Sequence, residues 1–225
     1  MKLRLFYTLI FSLFITLSFA QEKKKISSDT LAAKKWKYKP NVMLGVDVLH
    51  LGLMPFTDQK LFQAFATSRI QPRLHLVADV GYERNKYDKN GYDVSAKGLF
   101  VKAGTLYMLS PDPENKQNGF YAGGKVAASF YQQDMRAIPT RGYQGHDSYA
   151  ASFPTSSQSA YWLEGAIGGR VELFNSNFYI DAQVQPKYMI YTTKQENITP
   201  MVIPGFGTDA NKFKLGFMWS LAYLF

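Results

Sequence analysis

Cysteine is absent from this 225-residue chain. That excludes a disulfide scaffold, a thiolate zinc module and thiol redox chemistry. Histidine is scarce: His50, His75 and His146 are the three present, scattered and without a helical His-Glu-x-x-His pair. No metal and no cofactor is therefore expected. A sustained helical period is missing from residue 41 onward, which argues against a helical body. Acidic residues are the minority sign, 17 against 26 Lys and Arg, giving a net charge of +9. Such a charge points to nucleic acid only when it gathers on one face or motif. Here residues 21–40 alone hold seven Lys against Glu22 and Asp29, a net +5. With Lys2 and Arg4 also set aside, the body from residue 41 keeps only +2, and no nucleic-acid partner is expected. What is abundant is 17 Phe, 15 Tyr and 17 Gly within a 46% apolar composition, the mixture of one β-rich domain.

Lys2 and Arg4 precede an apolar run over 5–19, which closes on Ser18-Phe19-Ala20 before Gln21-Glu22. The run is shorter than a membrane helix and ends in small residues, so residues 1–20 read as a cleavable signal peptide. With no cysteine after it, a lipid-modified N-terminus is not expected. Residues 21–40 read as a Lys-rich periplasmic leader, solvated because like charges repel. Contact of this leader with anionic lipid or an acidic partner is the functional alternative.

From residue 41 to 225, apolar side chains recur at every second position, the pattern of a half-buried strand. Over 212–225 one face carries Phe213, Leu215, Phe217, Trp219, Leu221, Tyr223 and Phe225. The same alternation marks strands over 178–190, 161–173, 120–130 and 74–82, with weaker ones over 42–49, 61–68 and 94–109. These eight predict an all-β fold, an antiparallel transmembrane β-barrel of eight strands, since strand length and even number match outer-membrane barrels. Shorter connections at 70–73, 110–118 and 175–177 alternate with longer ones at 85–91, 133–159 and 192–211. Short periplasmic turns and long external loops follow, with both termini in the periplasm.

A soluble periplasmic lipocalin-like carrier also alternates, but it turns its apolar face inward around a ligand. The face opposite the aromatic stripe holds Asp79, Lys125, Glu164, Arg170, Glu172, Asp181, Lys187 and Lys214. Those charges suit the polar interior of a membrane barrel, where they pair, with aromatic and apolar side chains toward lipid. An eight-stranded interior is just wide enough for its own side chains. Tyr121, Tyr131, Tyr179, Lys125 and Arg170 are bulky enough to plug it.

Phe217, Trp219, Leu221, Tyr223 and Phe225, at every second position to the last residue, resemble the C-terminal signature of bacterial outer-membrane proteins. That resemblance implies the barrel-assembly machinery as a partner during insertion, and an outer-membrane lipid environment. Four further stretches carry a closer likeness over about residues 40–225: Tyr92-Asp93-Val94-Ser95-Ala96-Lys97-Gly98, Ser159-Ala160-Tyr161-Trp162-Leu163-Glu164, Ile203-Pro204-Gly205-Phe206-Gly207 and Lys212-Phe213-Lys214-Leu215-Gly216-Phe217. Together they resemble a functionally uncharacterised family of small outer-membrane barrels from Bacteroidetes-type bacteria. The resemblance implies location and architecture and transfers no catalytic residue.

For chemistry, the one local constellation is His146-Asp147-Ser148 in the long loop. Contiguity is not a triad, because a triad is defined by geometry. His146, Ser148 and His50, the last a rim residue ending the first strand, are the weak candidates for a lipid-modifying enzyme of acyltransferase or deacylase type. His75 is expected inside, bonded to a carboxylate such as Asp79. The Gly, Ser and Tyr-rich loop at 133–159 is read as either a binding surface or disorder. Over 199–207 the Pro and Gly residues predict an ordered turn, with Phe206 anchoring it on the rim. The expectation is a non-enzymatic structural or accessory subunit, meeting other envelope proteins through the loops or the leader.

Overall fold

Period-two alternation becomes a wall. The computed structural model describes residues 41–112, 115, 117–140, 149–195, 198–208 and 211–225; the signal peptide and Lys-rich leader expected at 1–40 lie outside the described residues. The strands are β1 (Val42–Asp47), β2 (Lys60–Arg69), β3 (Leu74–Lys89), β4 (Tyr92–Pro111), β5 (Gly119–Thr140), β6 (Tyr149–Glu172), β7 (Phe178–Thr192), β8 (Val202–Ile203), β9 (Gly207–Thr208) and β10 (Phe213–Leu224). One short helix, α1 (Val48–Leu53), follows β1. Eight strands close into an antiparallel barrel in the order β1-β10-β7-β6-β5-β4-β3-β2, while β8 and β9 form a separate hairpin. All of these elements lie in one compact unit, Tyr38–Phe225. No helix among the described residues is long and apolar enough to cross a membrane, which says nothing about strands.

Closure leaves the wall without a free end, since β1 pairs β10 from Met43↔Leu224 to Asp47↔Ser220. It also places Val42 and Leu224 at the same end of the barrel. The outward face of β5 presents Phe120, Val126 and Phe130, and that of β10 presents Phe213, Leu215, Phe217, Trp219 and Leu221, all exposed. On β5 this outward apolar series runs over 120–130, which at the usual rise and tilt makes a belt about 25 Å tall. Inward positions are buried and largely polar. The aromatic faces thus point out of the barrel, the reverse of the lipocalin-like arrangement.

Strand limits differ from the expected ones at several points, each for a local reason. β1 stops at Asp47, because that carboxylate caps α1 by accepting from the backbone N–H groups of Leu49 (3.1 Å) and His50 (3.2 Å). His50 therefore sits in a helix and not at a strand end. The connection expected at 85–91 is a tight hairpin: β3 and β4 pair out to Lys89↔Tyr92. Asn90 and Gly91 turn the chain with φ of 54° and 80°, the left-handed pair a two-residue hairpin demands. The loop expected at 133–159 is mostly wall, since β5 and β6 continue pairing to Thr140↔Tyr149. Register shifts between Gln133 and Met135 and between Met135 and Ile138 break the two-residue period there, and so hide the strands from a pattern reading.

Candidate functional site

Inward-pointing residues of six strands converge on an ion-paired network inside the barrel. The register Lys125↔Glu164 places those two side chains across β5 and β6, and Glu164↔Lys187 continues the row into β7. Asp79 stands opposite Lys102 on β3 and β4. Lys102 Nζ lies 2.8 Å from Glu164 Oε2, and Lys125 Nζ lies 2.7 Å from Asp79 Oδ2 and 3.9 Å from Glu164 Oε1. Lys125 also donates to Gln183 Oε1 at 3.3 Å. Gln183 in turn donates to Tyr121 Oη (3.1 Å), and Tyr121 donates to Asp181 Oδ1 at 2.5 Å. Arg170 Nε completes the chain on Asp181 Oδ2 at 2.8 Å.

Burial explains why the charges come in pairs. Buried Lys102, Lys125 and Arg170 pair with buried Glu164, Asp79 and Asp181, while buried Glu83 and Lys187 both bond to the backbone of Gly205 and buried Asp47 caps α1. An unpaired buried charge costs several kcal/mol, on the order of 3–5 when one partner is deleted. Hydrogen-bond donors that are not ionic extend the set: Gln63 reaches Asp79 at 3.4 Å and Trp162 Nε1 reaches Glu164 Oε2 at 3.4 Å. Such a network fills space and fixes strand register. Tyr121, Tyr131 and Tyr179 are also buried on inward positions.

A second, apolar layer lies toward the end away from Val42 and Leu224. The segment joining β7 to β10 dips into the barrel as the β8–β9 hairpin, burying Val202, Ile203 and Phe206. Phe206 packs edge-on against Trp162 at 5.7 Å between ring centroids. Phe206 was expected on the rim; it lies inside because Trp162, Phe100 and Tyr131 supply an apolar pocket for it there. Polar bonds hold the tip inside the wall: Gly205 N–H donates to Glu83 Oε2 (2.6 Å), and Lys187 Nζ donates to Gly205 O (2.8 Å).

Six of the eight interior charges read from sequence, Asp79, Lys125, Glu164, Arg170, Asp181 and Lys187, are brought into this buried set. Glu172 and Lys214 are only half-buried. Glu172 ends β6 and accepts from Asn115 Nδ2, while its backbone N–H donates to Asn118 Oδ1 at 2.8 Å, so it ties a turn to the rim. Lys214 stands opposite Lys187 near the start of β10. Lys102 and Glu83 were missed. Their signal was weak: β4 carries apolar residues on both faces around Lys102, and Glu83 lies just past the part of β3 that alternates clearly. His75 is buried on the inward face, but Asp79 is committed to Lys125. Residues four apart on one strand are about 13 Å apart, too far for the expected bond.

Of the weak catalytic candidates, His146 and Ser148 lie outside the described residues. His50 Nδ1 meets Asp47 Oδ2 at 2.6 Å, and the other oxygen of that carboxylate caps the helix. Among the described residues no group of three or more His, Asp or Glu is placed to hold a metal. Phe217, Trp219, Leu221 and Phe225 of the terminal signature face outward and are exposed. Tyr223 packs between Phe178 (5.0 Å) and Phe225 (4.8 Å), an aromatic cluster at the rim of the belt. Above the belt, Lys86 holds its proton beyond the usual lysine range because hydrogen bonds to Asp88 and Asp93 favour the ammonium.

A closed eight-stranded antiparallel barrel with an apolar exterior and a charge-paired interior is the class of protein these features define. The chain belongs to the family described as Domain of unknown function (DUF6048), which matches residues 2–225. No curated protein matches the sequence. Among solved structures it is similar to Ail, the attachment invasion locus protein of Yersinia pestis, crystallised with the heparin analogue sucrose octasulfate, at 11% identity and a TM-score of 0.44, over 84% of this chain and 100% of that one. It is also similar to the N-terminal β-barrel domain of Pseudomonas aeruginosa OprF at 9% identity and a TM-score of 0.36, over 83% of this chain and 100% of that one. A third likeness, to the beta domain of the Bordetella autotransporter BrkA, has 16% identity and a TM-score of 0.33, over 80% of this chain and 68% of that one. The barrel assignment rests on the chain's own strand pairing.

Proposed function

We propose that this protein is an integral outer-membrane barrel with a plugged interior, acting as a non-enzymatic structural or accessory subunit of the envelope. The observation that carries this reading is the division of each strand. An apolar belt about 25 Å tall faces out, while buried cations such as Lys102, Lys125 and Arg170 and buried carboxylates such as Asp79, Glu164 and Asp181 face in. Water would disfavour so large an exposed apolar band, whereas lipid solvates it. A barrel filled by ion pairs and sealed by its own hairpin has no lumen to offer a solute. Both chain ends of the barrel stand at the end whose connections, at 70–73, 112–118 and 173–177, are all short, whereas the opposite end carries the long 193–212 segment and α1 beside the tight 90–91 hairpin; this balance supports termini in the periplasm. The opposite end, where β3 to β6 extend beyond the belt, is then the surface for envelope partners, and the Lys-rich leader is a second contact. A rim enzyme draws no support from His50, whose partner carboxylate serves the helix cap.

Fractionation of cells carrying the tagged full chain tests the reading, combined with gel migration before and after boiling. The expected result is an outer-membrane band that shifts on boiling. A soluble protein with no heat-dependent shift overturns it.

A further inference from the structure

A row of cations crosses the outer surface just above the apolar belt. Strand register sets Lys60 opposite Arg84 and Arg84 opposite Lys97, on β2, β3 and β4. The row continues to Gln132 and Ser157 on β5 and β6. All five side chains are exposed on the outward face. Adjacent strands stand about 4.8 Å apart, and like charges directly opposite one another destabilise a sheet. Nothing in the row offsets this. Arg84 and Lys97 make no ion pair with the described residues, and the acids of the rows above are engaged elsewhere. Asp88 and Asp93 bind Lys86 at 2.8 and 3.3 Å, and Asp134 binds Arg136 at 3.1 Å. Lys60 turns its ammonium to the carbonyls of Met54 and Thr57, leaving Arg84 and Lys97 as the two cations directed at whatever lies outside the wall.

The row beneath is apolar: Phe62, Tyr82, Leu99 and Phe130 are register neighbours and all exposed. Beside Lys97 the wall carries an open groove of about 670 Å³, lined below by Tyr82, Leu99 and Phe130 and above by Lys97, Gln132 and Ser157. Its lower half suits acyl chains and its upper half an anionic oxygen group. A guanidinium beside an ammonium matches a phosphate well, because the planar fork donates two bonds to one group while the second cation adds charge.

Resting on the reading of the protein as a membrane barrel, we propose that Arg84 and Lys97 form a binding site for the phosphate of a phosphorylated membrane lipid, whose chains lie over Tyr82, Leu99 and Phe130. Lipid bound there relieves the like-charge row, so the anion completes a surface that the chain leaves cationic.

The test uses the full chain folded in detergent micelles, with native mass spectrometry reading the lipid-bound fraction. The probes are diphosphorylated lipid A and the same lipid stripped of its phosphates. The double variant R84Q/K97Q is compared with K86Q/R136Q, which removes two cations already paired within the protein. The expected result is that wild type and K86Q/R136Q retain the phosphorylated lipid, while R84Q/K97Q loses it by about tenfold or more. The dephosphorylated lipid is expected to bind all three weakly. Equal retention by R84Q/K97Q, equal retention of both lipids, or full displacement of the lipid by millimolar inorganic phosphate overturns the proposal. Boiling-dependent gel migration is read on every sample. A variant that shifts like wild type shows that its barrel is folded, so a negative lipid result then bears on this site alone. A wild-type protein that needs no detergent and shows no shift overturns the membrane reading instead.

Discussion

Glu83 and Gly205 are 122 residues apart in sequence, yet the Gly205 N–H donates to Glu83 Oε2 at 2.6 Å. One carboxylate on β3 thereby fastens the hairpin inside the barrel. Its Oε1 also accepts from Gln59 (2.8 Å) and Asn85 (3.0 Å). Removing it as Glu83→Ala leaves the Gly205 N–H without its acceptor, at a cost of roughly 1–3 kcal/mol. The expected outcome is faster proteolytic cleavage within residues 199–208 of the folded protein, with the boiling shift retained. Glu83→Gln keeps one acceptor oxygen and should fall between wild type and the alanine variant.

Asp181 and Arg170 offer a sharper test of the interior. Asp181→Leu leaves the buried guanidinium unpaired and should destabilise the barrel by about 3–5 kcal/mol. The double variant D181L/R170M removes both charges and should be more stable than the single variant. Urea unfolding midpoints in micelles report both, and a double variant less stable than D181L would contradict the desolvation argument.

Gly205 has φ of +79°, and a Cβ there would lie 2.5 Å from Phe100 Cγ and 2.8 Å from Cδ1. Left-handed backbone costs a residue with a Cβ about 1–2 kcal/mol, before any clash. Gly205→Ala is therefore expected to lower the temperature at which the folded band disappears. Adding Phe100→Leu should restore part of the loss, the part due to the clash and not the backbone strain. No recovery would mean that strain alone explains the effect.

A plugged barrel should not conduct. In planar bilayers the purified protein is expected to give no steady open channel. Deleting residues 199–208 should still leave conductance low, because the buried Lys102–Glu164 and Lys125–Asp79 pairs, each reaching across one intervening strand, occupy the interior independently of the hairpin. A stable conductance in wild type would remove the plug from the proposed function.

Much of the wall was legible because facing is a local property. Along β10, Phe217 and Trp219 point one way and Met218 and Ser220 the other, as the pleat requires, and the same parity placed Lys125, Glu164 and Asp181 inside. The reading weakened where parity gave no contrast. Lys102 sits between Val101 and Ala103 outside and Phe100 and Gly104 inside, so no stripe marked its face. It failed for the outer halves of β5 and β6, where bulges interrupt the period.

By itself, then, the sequence determined the strand faces, the absence of thiol chemistry and the segregation of apolar from charged side chains, since each depends on residues within a few positions of one another. The tertiary structure alone decided which charges meet, that the β8–β9 hairpin folds inward, and that Lys60, Arg84 and Lys97 fall in one row. Those outcomes depend on closure and register between strands. Glu164 meets Lys102 from 62 positions away, and only the hydrogen-bonded ladders fix which side chains stand side by side.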